Sequence, residues 1–136
     1  MKPKVAFFDF ACCEGCQLQV ANLEEDVLGL VALVDVVEFR EVLTGKASAY
    51  DVAFIEGSIT RTEDEERLKD IRNRSGLLVA FGACACTGGV NKLKNIQPRG
   101  LDDVRKDVYG KDWDMPHLNT YPTKAVHEVV KVDAFI

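Results

Sequence analysis

Five cysteines stand in two tight groups. Cys12, Cys13 and Cys16 lie within ACCEGCQLQV, residues 11–20, and Cys84 and Cys86 lie within GACACTGG. Cys13 and Cys16 are separated by two residues, the gap at which neighbouring thiolates ligate one zinc ion or one iron–sulfur cluster. Gly15 between them lets backbone approach a bulky inorganic group. Gly82, Gly88 and Gly89 frame the second pair, so small residues surround those sulfurs too. Four chemistries fit this pattern. The thiols hold a cluster, hold zinc, act as a thioredoxin-like dithiol, or fill a core as small hydrophobes. A dithiol leaves the glycine-framed second pair unexplained. The core reading suits one or two of the five, Cys12 and Cys86 first, better than it suits the set.

The elements that position these groups follow from periodicity. KVAFFDF, residues 4–10, is a continuous apolar run, as in a strand covered on both faces. Its basic flank, MKPK, resembles a signal peptide only superficially, because Asp9 interrupts the apolar run. The spacing of Leu18, Ala21, Val27 and Leu28 predicts one helix from about Glu14 to Leu30. ALVDVVE (32–38), DVAFIE (51–56), LLVAFGA (77–83) and KVDAFI (131–136) read as further strands. TRTEDEERLKDIRNRSG reads as a helix with Thr60 or Thr62 as its cap, acids in its first turns and Gly76 as its stop. TGGVNKL opens a short helix, LDDVRKDVYG and KAVHEVV are helical, and the remainder of 95–122 is irregular. Alternating strands and helices imply an α/β fold with one parallel sheet and helices on both faces, in a single domain over residues 1–136. Sites in such sheets form beyond the carboxyl ends of the strands. ACCEGC, EGSIT and GACACTGG all follow strands, so both cysteine groups and Glu56 fall on one sheet edge.

Bulk composition narrows the partners. Of 136 residues, 47% are hydrophobic and 29% charged, with a net charge of −5. No basic cluster is present, which argues against nucleic acid. No apolar run approaches the roughly 18 residues of a membrane span. Five cysteines without a secretory signal fit a reducing, cytoplasmic setting and metal or redox use.

CEGCQLQ, VAFIEGSIT, GACACTGGV and PTKAVHEVVKVDAFI, in this order, resemble the small subunit of [NiFe] hydrogenases, nearest the cytoplasmic sulfhydrogenase and cofactor-reducing branch. The cluster-bearing subunit of respiratory complex I is a more distant likeness. The resemblance implies a flavodoxin-like domain with a proximal [4Fe–4S] cluster. The cluster would pass electrons between outside carriers and a large subunit carrying nickel and iron, with further electron-transfer subunits as partners. Carried onto this chain, the family's motifs make Cys13, Cys16 and Cys84 ligands, with Gly15 and Gly82 beside the cluster. Cys86 and Glu14 fall on variable positions. Glu56 matches a family Glu-Gly, and is either a carboxylate beside the cluster and the subunit interface or a solvated strand end. His127 reads as a surface histidine.

One departure stands out. The family's last strand leads into a Gly-Cys-Pro whose cysteine is the fourth ligand, and the sequence stops at Ile136 before it. Three expectations follow: a chain truncated relative to the family, Cys12 as substitute ligand in the manner of the tandem cysteines of the complex I subunit, or a cluster-free docking domain. Two further readings are a fragment of a complex I-like oxidoreductase subunit and a flavin-binding domain. Against the flavin, the first strand–helix turn carries cysteines where a phosphate loop would need Ser and Thr.

Overall fold

The computed structural model describes residues 1–43, 45, 47–111, 116–117 and 119–136. Five strands form the main sheet: β1 (Lys4–Asp9), β2 (Asp35–Phe39), β3 (Tyr50–Glu56), β5 (Ser75–Phe81) and β7 (Ala134–Phe135). Their spatial order is β2-β1-β3-β5-β7, and every neighbouring pair is parallel. A separate two-stranded antiparallel ribbon joins β4 (Ile59–Arg61) to β6 (Thr120–Lys124). With the ribbon set aside, the strand order is that of flavodoxin-like sheets, whose ligand crevice lies where the order reverses, between β1 and β3.

The apolar runs bury one face of this sheet fully and cover the other in part. Ala6 and Phe8 of β1 pack with Ala53, Ile55, Leu78 and Ala80 against Leu68 and Ile71 of α3 (Thr62–Arg74). Val5 and Phe7 point the other way, towards Phe39, Phe54, Phe81 and the Val20–Ala21 end of α1 (Gly15–Ala21). Phe7 stacks between the rings of Phe39 and Phe54, at 4.6 and 4.9 Å. Glu63, Asp64 and Glu65 occupy the first turn of α3 and Arg72 and Arg74 its last, matching the helix dipole.

Several elements differ from the periodicity reading. The single helix expected to Leu30 is two, α1 and α2 (Glu25–Leu33). Asn22 ends the first, Glu24 takes a positive φ of 52°, and Glu25 and Asp26 supply a new acidic first turn. Ala32 and Leu33 finish α2, so the second strand starts at Asp35; a short apolar run does not distinguish helix from strand. Thr60 lies in β4, and Arg61 precedes α3 without a side-chain cap. Gly76 lies inside β5, where a Cβ would come within 2.9 Å of the Asp51 carbonyl oxygen. GACACT is a helix, α4 (Gly82–Thr87), entered and left through glycines at φ +81° and +91°. The short helices at Val90–Ile96 and Val126–Glu128 are 3-10 turns, and α5 spans Leu101–Tyr109. Residues 112–115 and 118, in the stretch read as irregular, lie outside the described residues. Among the described residues no helix is long and apolar enough to cross a membrane.

Candidate functional site

Everything at the site hangs from the carboxyl ends of β1, β3 and β5. Asp9 ends β1 opposite Glu56, which ends β3. Arg40 pairs with the Asp9 carboxylate at 2.7 Å, while Arg67 donates to its carbonyl at 2.8 Å and lies 4.7 Å over the Phe10 ring. The two strands stay joined past their ends: Phe10 N–H donates to Glu56 carbonyl oxygen, and Ala11 and Ser58 exchange both backbone hydrogen bonds. Gly57, at φ +97°, allows this, because a Cβ there would sit 2.8 Å from the Phe10 carbonyl carbon.

From this anchor the chain turns through Cys12 and Cys13 into α1. Glu14 turns it, in the left-handed region at φ 60°, a conformation that costs a non-glycine residue about 1–2 kcal/mol. No side chain of its own loop caps α1. Glu56 does so from β3: its two carboxylate oxygens accept the N–H groups of Cys16 and Gln17, each at 3.1 Å. Two of the helix's unpaired N–H groups are thereby satisfied, by a charge of the sign the helix N-terminus favours. Glu56 is 2% exposed, so it is not a solvated strand end. Gln17 is also buried, and neither polar atom of its side-chain amide has a partner.

Each of three thiols is seated against a glycine. A Cβ on Gly15 would lie 3.3 Å from Cys13 Sγ, on Gly82 2.3 Å from Cys16 Sγ, and on Gly89 2.8 Å from Cys84 Sγ. The Gly82 contact also joins the two cysteine segments, since Gly82 starts the helix that carries Cys84. Burial pushes the Cys16 thiol up, and the Glu56 charge, a hydrogen bond to Glu56 and the charges of Cys13 and Cys84 push it further. Burial likewise raises Cys84, with Cys13 and then Glu56 adding to it. These thiols therefore share one electrostatic neighbourhood. Three thiolates beside a buried carboxylate repel one another strongly, and a bound cationic group reverses that balance. The donor set and the Cβ-free cradle fit an iron–sulfur cluster. Among the described residues, no three His, Cys, Asp or Glu side chains are gathered closely enough to hold a single metal ion.

The other two cysteines are placed differently. Cys12 is pushed up to about 11, chiefly by burial; a backbone hydrogen bond from Glu14 opposes this, and the charges of Glu56, Glu14 and Asp9 add to it. Cys86 packs against the core, its thiol facing the carbonyl oxygens of Ala80 and Ile136 at 3.5 and 3.6 Å. Ile136 itself accepts the Gly82 N–H at 2.8 Å. His127 is exposed and edge-on to Phe135. Sequence reasoning did not single out Ser58 or Asn91, whose polar atoms tie the loops together. Their partners are far away in sequence and no local pattern marks them.

Comparison with known proteins places the chain in a family and matches its fold. The family described as NADH ubiquinone oxidoreductase, 20 Kd subunit, matches residues 13–136. The delta subunit of sulfhydrogenase 2 from Pyrococcus furiosus is 31% identical over 131 residues, covering 96% of this chain and 53% of that protein. The delta subunit of the NAD-reducing hydrogenase HoxS from Cupriavidus necator is 30% identical over 154 residues, covering 99% and 70%. A crystal structure of an NAD+-reducing [NiFe]-hydrogenase in the H2-reduced state superposes with a TM-score of 0.83 at 26% identity, over 99% of this chain and 81% of that one. The chain spans about half the length of most of the curated relatives it matches.

Proposed function

Because the chain belongs to the family of the NADH ubiquinone oxidoreductase 20 kDa subunit, we propose that it is the electron-transfer subunit of a [NiFe] hydrogenase-type complex, holding a [4Fe–4S] cluster through Cys13, Cys16 and Cys84. The observation that carries this reading is the triple contact of sulfur with glycine at one sheet edge. A bound cluster supplies one-electron storage and release. The chain's own residues do the holding and tuning. Gly15, Gly82 and Gly89 leave the space that a methyl group would fill. Glu56 fixes the start of α1 and with it the backbone that carries Cys16. Backbone N–H groups near Gly15 and Gly82 that are not already committed to Glu56 or Ile136 would tune the potential by hydrogen bonding to sulfur. The fourth ligand is Cys12 or a donor from outside residues 1–136.

Cys13 is the exposed member of the set, so the site opens outward at the sheet edge. A hydrogenase-type large subunit docked there would exclude water and oxidants, and further electron-transfer subunits would complete the path. The reading places the chain in the cytoplasm and gives it no turnover alone. Iron and acid-labile sulfide, measured on anaerobically purified protein with its co-expressed partner, test it. About four of each per chain, lost in Cys13→Ser, Cys16→Ser and Cys84→Ser, is the expected result. A colourless, iron-free chain that still binds the partner would refute it and leave a docking domain.

A further inference from the structure

Asn91 joins three loops that the sequence keeps far apart. Its side-chain amide donates to the Ala11 carbonyl oxygen at 2.8 Å and to Ser58 Oγ at 2.9 Å. Ala11 directly precedes Cys12 and Cys13. Ser58 follows Glu56 and Gly57 at the end of β3. Asn91 lies two residues after Gly89, which touches Cys84 Sγ, and Gly88 N–H is bonded to the Cys84 carbonyl oxygen at 3.0 Å. The Asn91 carboxamide is therefore a strut between the loop that carries Cys13 and Cys16 and the segment that carries Cys84.

The other end of the strut is anchored independently. The Asn91 carbonyl oxygen accepts from Thr123 Oγ1 at 3.0 Å. Asn95 adds a reciprocal pair with Thr123, donating to its carbonyl and accepting its N–H, both at 2.8 Å. The 3-10 turn at Val90–Ile96 is thus fastened to β6 whatever the Asn91 side chain does. Removing the carboxamide alone cuts this tie between the two cysteine segments, while the Gly82–Cys16 contact and the docked turn remain.

We propose that Asn91 is a positioning residue that sets the separation of the Cys13–Cys16 loop from Cys84. Its effect on cluster retention rests on the cluster reading above. Asn91→Leu keeps the shape and removes both donors. Asn95→Ala removes two bonds to Thr123 that touch neither cysteine loop, leaves the Thr123 Oγ1 bond to the Asn91 carbonyl in place, and serves as the control for general destabilisation. In the full chain prepared anaerobically, iron release to a chelator is expected to be about tenfold faster in Asn91→Leu, the scale found for residues that orient metal ligands. The electron paramagnetic resonance line shape of the reduced protein should change with it. Asn95→Ala should melt at lower temperature yet release iron at the wild-type rate. Equal release from the two variants would overturn the proposal. If the wild type holds no iron, the cluster reading fails, and a bifunctional maleimide then decides the strut. Lower cross-linking of Cys84 to Cys13 or Cys16 in Asn91→Leu alone would sustain it, and equal yields in all three proteins would end it.

Discussion

Replacing Gly82 by alanine separates backbone strain from pressure on a sulfur. Gly82 has φ +81°, which costs a residue with a Cβ about 1–2 kcal/mol. Gly100 has φ +82° and ψ 165°, a region almost reserved to glycine, with nothing within 4 Å of an added Cβ, so Gly100→Ala carries a backbone cost and no contact. Gly82→Ala adds a methyl group 2.3 Å from Cys16 Sγ. The sulfur must retreat by more than ~1 Å to reach an ordinary contact of about 3.5 Å. Glu56 holds the Cys16 and Gln17 N–H groups, so the backbone cannot follow and the retreat falls on the Cys16 rotamer. Thermal denaturation should show both variants melting lower, by roughly 3–10 °C for a loss of this size in a chain of this length. Iron content and the spectrum of the reduced protein should change only in Gly82→Ala. Identical iron retention in the two variants would refute the view that glycine at 82 makes room for a ligand sulfur.

Glu56→Gln should cost about 1–3 kcal/mol in urea denaturation, because the amide leaves one N–H of α1 without its carboxylate oxygen and buries a donor facing it. An unchanged midpoint would mean that the cap is dispensable. Asp133 accepts the Leu78 N–H at 2.8 Å and pairs with Arg72 at 2.8 Å, and the Leu78 bond and then the Arg72 charge hold its carboxyl below the usual range. A depressed carboxyl contributes its stabilisation above its unfolded value, about 3.9, and loses it as pH falls through the lower folded value. Acidification below about pH 4 should therefore loosen β7 from β5 first. Hydrogen exchange at Leu78 and Ile136 should accelerate before the rest of the sheet, and Asp133→Asn should remove that acid dependence.

Reading the sequence recovered what depends on local pattern. KVAFFDF, DVAFIE and LLVAFGA are short apolar runs bounded by turn residues, and each supplies a strand of the central sheet. Placing ACCEGC and GACACTGG beyond their ends brought the thiols to one edge. The α4 helix was not legible, since its six residues lie between glycines and show no apolar period. The break between α1 and α2 depends on one unusual backbone angle at Glu24, which propensity does not register. Glu56 looked like any strand-end acid. Its burial follows from a helix some forty residues earlier pointing two N–H groups at it. The strut from Asn91 to Ala11 spans still more chain, and nothing near either residue announces the other.

The helix cap supplied by Glu56 also orders events during synthesis. Cys12, Cys13 and Cys16 leave the ribosome early, before the strand that bears Glu56 exists and well before Cys84. At about 5–20 residues per second, roughly 3–14 s separate the emergence of residue 16 from that of residue 84. Over that interval the first thiols have no carboxylate to fix their helix and no glycine at 82 to lean on, and they are open to oxidation or stray metal. On the cluster reading proposed above, insertion would follow the pairing of β1, β3 and β5, which brings the two cysteine groups to one edge. On that reading the first three cysteines wait exposed until the second group arrives.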